Sequence, residues 1–167
     1  MISVETATQT WQSMARNSLS DVPDLIARMR DRQPVVLAYL LAADGLEFGR
    51  NELEHILYIG MVVWQIVRQG EGRLLKVTRK RIIRAEEANY DFLDRIEAAS
   101  EEDLAQLSEE MMQDYPEPHV LRYILEAIME EGEDLEETPI REDYKGLAFI
   151  YLKTVLDAFI TAARPGR

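Results

Sequence analysis

Cysteine is absent from this 167-residue chain, and histidine occurs only twice. The lack of cysteine excludes disulfides, thiol nucleophiles, iron–sulfur clusters and thiolate zinc sites. The sequence also lacks a glycine-rich phosphate loop, a nucleophile elbow and an H-E-x-x-H motif. Because no complete catalytic set is seen and no cofactor motif is present, we expect no cofactor and regard enzymatic activity as undecided, with a non-catalytic role favoured.

Long hydrophobic runs are also missing. The longest nearly unbroken apolar stretch covers residues 56–67, "ILYIGMVVWQIV". A helix needs about 20 apolar residues to cross a bilayer, so this stretch is too short. The first residues lack the basic start and apolar core of a signal peptide. The sequence therefore predicts a cytoplasmic protein with no membrane partner.

Charge is abundant but unevenly distributed. The net charge of the chain is −12, yet residues 1–84 carry a net charge of +3 and residues 85–167 a net charge of −15. Most of the positive charge lies in residues 68–84, where seven basic residues accompany one acid. The acidic half disfavours nucleic-acid binding, since it would repel a phosphate backbone.

Apolar residues recur with helical spacing along almost the whole chain, and alternating strand patterns are poor. We predict an all-α, single-domain fold of residues 1–167, an orthogonal or irregular bundle of about seven or eight helices. Residues 1–18 would form a mobile or partner-contacting first helix. The fifth helix is expected over residues 73–99, because a later start would place its cations against the helix dipole.

A Glu-x-x-His motif stands at Glu52 and His55 in the fourth helix, expected over residues 51–69. Capping explains the acids of this turn, since Asn51 is a suitable N-cap and Glu54 follows it by three residues. Capping does not explain His55. This side chain is expected on a second apolar side of a buried helix, where it needs a hydrogen-bond partner.

Two polar residues of the fifth helix are candidate partners for this motif. Glu86 and Asn89 fall on the apolar stripe of that helix, where an unpaired carboxylate would be costly. The short turn at Gly70–Gly72 would make the two helices antiparallel neighbours. Glu52 and His55 would then lie at about the same distance from the turn as Glu86 and Asn89. The sequence thus predicts a polar cluster of Glu52, His55, Glu86 and Asn89 that could line a ligand pocket.

A metal site is one interpretation of the same residues. A ferritin-type di-iron centre needs two Glu-x-x-His pairs, and Pro116 occupies the position where a glutamate would precede His119. A mononuclear site of Glu52, His55 and Glu86 remains as an alternative, although one histidine is a poor set for a transition metal. The structural alternative is a buried, hydrogen-bonded pair without metal.

The basic stretch offers a third candidate site. An anion-binding patch would use the cations of one or two turns of the fifth helix, namely Arg79, Lys80, Arg81 and Arg84. No aromatic residues are interleaved with them for base stacking. Ion pairing with the acidic half, within one chain or between two copies, explains the same residues.

Three functional hypotheses follow. The leading one is a non-catalytic protein-interaction domain that binds a protein partner or itself, giving a homo-oligomer. The alternative is a small-molecule- or metal-binding protein that uses the Glu52, His55, Glu86 and Asn89 cluster. The third is an anion or nucleic-acid binder acting through residues 73–84.

Overall fold

A computed structural model of the chain describes residues 1–16, 21–129 and 140–164. Within these ranges the chain forms eight α-helices and one pair of two-residue strands. The helices are α1 (Val4–Arg16), α2 (Val22–Arg32), α3 (Pro34–Leu41), α4 (Arg50–Val67), α5 (Arg79–Glu97), α6 (Glu101–Asp114), α7 (Pro118–Met129) and α8 (Lys145–Ala162). The prediction of an all-α multi-helix fold is confirmed.

The core is built around α4 and α8, the two helices that contribute the most buried residues. α8 is buried on nearly every side and packs against α4, α5 and α7. α4 contacts α1, α2, α3, α7 and α8. A helix that is apolar around its whole circumference must be enclosed by others, and here five neighbouring helices provide that enclosure.

α3 and α4 approach each other closely at Gly60. A Cβ atom placed on Gly60 would come within 2.7 Å of Leu40 Cδ1, so the leucine fills the space that a larger residue would need. This glycine permits close helix packing, at the cost of lower helix propensity. None of the helices in the described ranges is long and apolar enough to cross a membrane.

α5 begins later than the sequence predicts. Thr78 is its N-cap and accepts a hydrogen bond from the Arg81 amide, so the helix begins at Arg79 rather than near Arg73. Residues 73–74 instead form β1, which pairs antiparallel with β2 (Ala163–Arg164) after α8. The cap and this strand pairing outweigh the unfavourable position of cations in the first turn, an effect of at most about 1 kcal/mol on an exposed surface.

α1 packs against α4 and α7, with Ala7 and Thr10 buried. The chain before it is fixed because the Ile2 amide donates a hydrogen bond of 2.8 Å to Glu117 Oε2. The outer side of α1 keeps Val4 and Trp11 exposed, at 46% and 37%. The sequence-based expectation that residues 1–18 move or contact a partner stays a prediction, and residues 17 and 18 lie outside the described ranges.

Candidate functional site

Glu52 is buried, at 5% exposure, and fixes the chain around the start of α4. Its carboxylate accepts hydrogen bonds from the Gly49 amide (2.8 Å), the Arg141 amide (2.9 Å) and Arg141 Nε (3.0 Å). Burial raises the pKa of Glu52, but these donors outweigh burial and hold it below the ordinary value. The helix cap is therefore Gly49, with Glu52 as its capping glutamate, in place of Asn51 and Glu54.

Arg141, the donor to Glu52, also stabilises an unusual backbone conformation. Glu47 has a φ of 65°, in the left-handed region that non-glycine residues seldom adopt. Arg141 Nη2 donates a hydrogen bond of 2.7 Å to the Glu47 carbonyl, and its guanidinium lies 3.9 Å from the ring centroid of Tyr144. Glu52 thus serves to join the start of α4 to the segment that precedes α8.

His55 and Glu86 have partners on different helices. The His55 Nε2 atom lies 3.1 Å from the Ala127 carbonyl oxygen of α7. Glu86 accepts a hydrogen bond of 2.7 Å from the hydroxyl of Tyr39 on α3, whose ring stacks on that of Tyr151 with centroids 4.3 Å apart. Burial and the adjacent Glu86 carboxylate raise the pKa of Tyr39, which therefore acts as a hydrogen-bond donor.

Asn89 belongs to a buried network between α5 and α8. Its amide donates to Thr154 Oγ1 (3.1 Å) and Asp157 Oδ2 (2.8 Å), and its carbonyl accepts from Lys153 Nζ at 2.8 Å. Lys153 also pairs with Asp157 at 2.8 Å, and the Tyr115 hydroxyl donates to the other oxygen of Asp157. Every polar atom named in this network has a partner, as buried polar groups require.

The four residues of the predicted polar cluster do not converge. Glu52 bonds to the chain before α8, His55 to α7, Glu86 to α3 and Asn89 to α8. The physical reason is that α5 packs mainly on α8, because the β1–β2 pairing directs it away from an antiparallel course along α4. In the described ranges, no three His, Asp or Glu side chains are grouped to hold a metal, so the metal set of Glu52, His55 and Glu86 is not assembled.

The predicted anion patch on α5 is likewise dispersed. Arg79, Lys80 and Arg84 are exposed on the first turns of the helix. Arg81 is partly buried and donates a hydrogen bond to the Thr161 carbonyl near the end of α8. Earlier residues of the same basic stretch line a cleft instead, and none of these four residues lies in it.

A basic cleft of about 830 Å³ opens where α2, the end of α4 and β1 meet. Five cations line it, against a single acid, Asp31. The cations come from two walls, one formed by α2 and the other by the end of α4 and the β1 segment. They are Arg28 and Arg32 on the first wall, and Arg68, Arg73 and Lys76 on the second.

The two walls are joined by Gln33, which is buried beside the cleft. Its side-chain amide donates to the Leu75 carbonyl at 3.0 Å and accepts from the Val77 amide at 2.9 Å. Gln33 therefore forms hydrogen bonds with the β1 segment as a neighbouring strand would. The Leu75 amide donates a hydrogen bond of 3.1 Å to the Ala162 carbonyl. These contacts give the cleft a defined floor rather than a loose loop.

The cations of this cleft are largely unpaired in the described ranges. The side chains of Arg28, Arg32, Arg73 and Lys76 are exposed and make no hydrogen bond or ion pair there. Arg68 donates only to Gln65 Oε1 at 3.3 Å and lies 5.4 Å from the ring centroid of Trp64. Five cations facing one concave surface raise each other's energy, and an anion between them would relieve that repulsion.

A second cleft, of about 510 Å³, lies between α1, α2 and α4. Its lining is mostly uncharged and shares Arg28 with the basic cleft. The Gln65 amide nitrogen is buried without a hydrogen-bond partner in the described ranges. This second cleft lacks the charge concentration that would select one class of ligand.

Sequence reasoning missed the basic cleft because its two walls are about 40 residues apart in the chain. A local signal was present, since Arg28 and Arg32 are four residues apart and so lie on one side of α2. What could not be read is that this side of α2 faces Arg73 and Lys76. That proximity arises from the contacts of Gln33.

No protein-family model, curated protein or solved structure matches this chain.

Proposed function

We propose that this protein is a non-catalytic binding domain whose functional surface is the basic cleft, and that it binds an anionic group there. The observation that carries the proposal is the set of five cleft cations that lack ion-pair partners in the described ranges. Charged groups that are buried or partly buried are treated differently by the fold, since Glu52, Lys153 and Asp157 all have close partners.

The negative net charge of the chain makes the unpaired cations of the cleft more significant. In a protein of net charge −12, cations gain most by pairing with the abundant carboxylates. Cations kept together and away from those carboxylates retain the ability to bind an external anion. Arginine suits this role because its planar guanidinium forms paired hydrogen bonds with carboxylate or phosphate oxygens.

The lining favours binding over catalysis. The cleft contains no histidine, and its single carboxylate, Asp31, forms no pair with a nucleophile in the described ranges. The residues named above can therefore attract and orient an anion, but they supply neither the base nor the nucleophile of a hydrolytic site. This supports the leading hypothesis of an interaction domain and assigns its contact surface to a region different from the predicted cluster.

The proposal is tested with inorganic tripolyphosphate as a compact anionic probe, using isothermal titration calorimetry at low ionic strength. We expect salt-sensitive binding, and at least tenfold weaker binding by the double variant Arg32→Gln/Arg68→Gln, which corresponds to about 1.4 kcal/mol. The matched control is Lys80→Gln/Arg84→Gln, which removes the same charge outside the cleft and should change the affinity less than about twofold. Equal weakening by both variants, or no binding by the wild type, would overturn the proposal.

A further inference from the structure

Among the helices, α6 has the highest density of negative charge. Its fourteen residues include six acids and no lysine or arginine. At 100° per residue, the acids Glu102, Asp103, Glu109, Glu110 and Asp114 fall within one arc of the helix. Leu107, Met111 and Met112 occupy the remaining side and are partly buried.

The acidic side of α6 is exposed, and two of its acids, Asp103 and Glu110, line a shallow cleft together with Arg95 of α5. All five carboxylates named above are exposed, and none forms an ion pair in the described ranges. Their side-chain hydrogen bonds come from neutral residues nearby in the sequence. Ser100 donates to Asp103, Gln106 donates to Glu110 and Gln113 donates to Glu109. The helix therefore presents carboxylates as available as the cations of the basic cleft.

The two charged surfaces are not paired with each other within one molecule. In the described ranges, no cation of the basic cleft forms an ion pair with a carboxylate of α6. Both surfaces are therefore available for pairing between molecules.

We infer that the anionic group bound by the basic cleft is the acidic side of α6 from a second copy of this chain. This inference rests on the proposed function of the cleft. The charges correspond. The acids of α6 form two rows, Glu102 with Glu109 and Asp103 with Glu110, and the cations of the cleft come from two walls.

A second copy suits the cleft better than a nucleic acid does. No exposed aromatic side chain lines the cleft for base stacking, since Trp64 is 3% exposed. A contact between two different surfaces produces either a two-fold pair with both contacts made reciprocally, or a head-to-tail array.

The test is sedimentation equilibrium of the full chain at low and high salt. We expect concentration-dependent association at low salt that is lost at high salt. Two variants reverse the charge of one surface each: Arg32→Glu/Arg68→Glu in the cleft, and Glu102→Lys/Glu109→Lys on α6. Each should raise the dissociation constant at least tenfold. The control Glu87→Lys/Asp91→Lys makes the same charge change on exposed positions of α5 and should still associate.

Mixing the variants tests the pairing directly. Neither reversed variant should associate alone, but an equimolar mixture should, since each surface then meets its charge complement. The variant carrying all four substitutions should regain self-association for the same reason. All substituted side chains are exposed, and circular dichroism of each variant checks that the helix content is unchanged.

The outcomes separate this inference from the proposed function. A monomeric wild type that still binds tripolyphosphate in the cleft overturns the docking of α6 and leaves the anion site standing. Self-association that persists in the α6 variant but is lost in Trp11→Ser also overturns it, and assigns the contact to α1. Cleft-dependent binding to DNA or RNA without self-association would identify the wrong class of partner. Failure of both self-association and tripolyphosphate binding overturns both proposals.

Discussion

The interior of this protein and its basic cleft handle charge in opposite ways. Between α5 and α8, the amine of Lys153 is bonded to Asn89 and Asp157, and the carboxylate of Asp157 has three donors. In the cleft, by contrast, Arg28, Arg32, Arg73 and Lys76 have no bonded partner in the described ranges. Both regions combine polar side chains from distant parts of the chain. Only in the interior network does each charged group have hydrogen-bond partners.

This difference shows where a polar group contributes to stability and where it is available for binding. A buried charge must be paired, because its desolvation cost is otherwise uncompensated. An exposed cation has no such requirement and can stay unpaired at little cost. The polar cluster predicted from the sequence falls mainly in the first class, which is why its members are bonded within the fold rather than grouped around a ligand.

The largest effect is expected from breaking the buried network with Asp157→Ala. The substitution leaves the Lys153 amine with Asn89 alone and removes the acceptor of the Tyr115 hydroxyl. We expect the free energy of unfolding to fall by about 3 kcal/mol, measured by urea unfolding. Asp91→Ala, on an exposed position of α5, is the control and should cost less than about 0.5 kcal/mol. A cost as small as that of the control would show that the network adds nothing to stability.

A smaller and pH-dependent effect is expected from Glu52→Gln. The neutral side chain weakens the contacts with Gly49 and Arg141, and we expect a cost of about 2 kcal/mol near neutral pH. The pKa of Glu52 is lowered in the folded state, so its contribution is fully present above the ordinary value of 4.5. That contribution is lost as the pH falls through the lower folded value.

Urea unfolding across the acidic range tests this sign. The difference between wild type and Glu52→Gln should shrink as the pH is lowered. Glu54→Gln is the control, because Glu54 is exposed and pairs only with Arg50 on the surface. A difference that stays constant or grows toward acid pH would contradict the assignment of Glu52 as an ionised structural group.

The smallest stability effect is expected in the basic cleft. Arg32→Gln/Arg68→Gln, the variant that should lose anion binding, removes two exposed cations from a region of mutual repulsion. We expect its free energy of unfolding to stay within about 0.5 kcal/mol of the wild type, or to rise slightly. A loss of several kcal/mol would show that these arginines stabilise the fold, as the paired charges of the interior do.

Several local features were accessible from the sequence. The spacing of apolar residues predicted the helical class, and the apolar residues on two sides of the fourth helix identified α4 as a buried helix. The start of α5 was placed wrongly, because the prediction used the helix dipole of Arg79–Arg84 and had no access to the strand pairing of Arg73 with the C-terminal segment. Local preferences of about 1 kcal/mol are readily overridden by such tertiary contacts.

The sequence by itself determined the helical class, the central position of α4 and α8, and the excess of acid in the second half of the chain. These properties depend on residue type and spacing along one helix, which are local. Only the tertiary structure decided which polar groups meet. Glu52 meets Arg141, Asn89 meets Lys153 and Arg32 shares a cleft with Arg73 because helix packing and the contacts of Gln33 set distances between residues far apart in the chain.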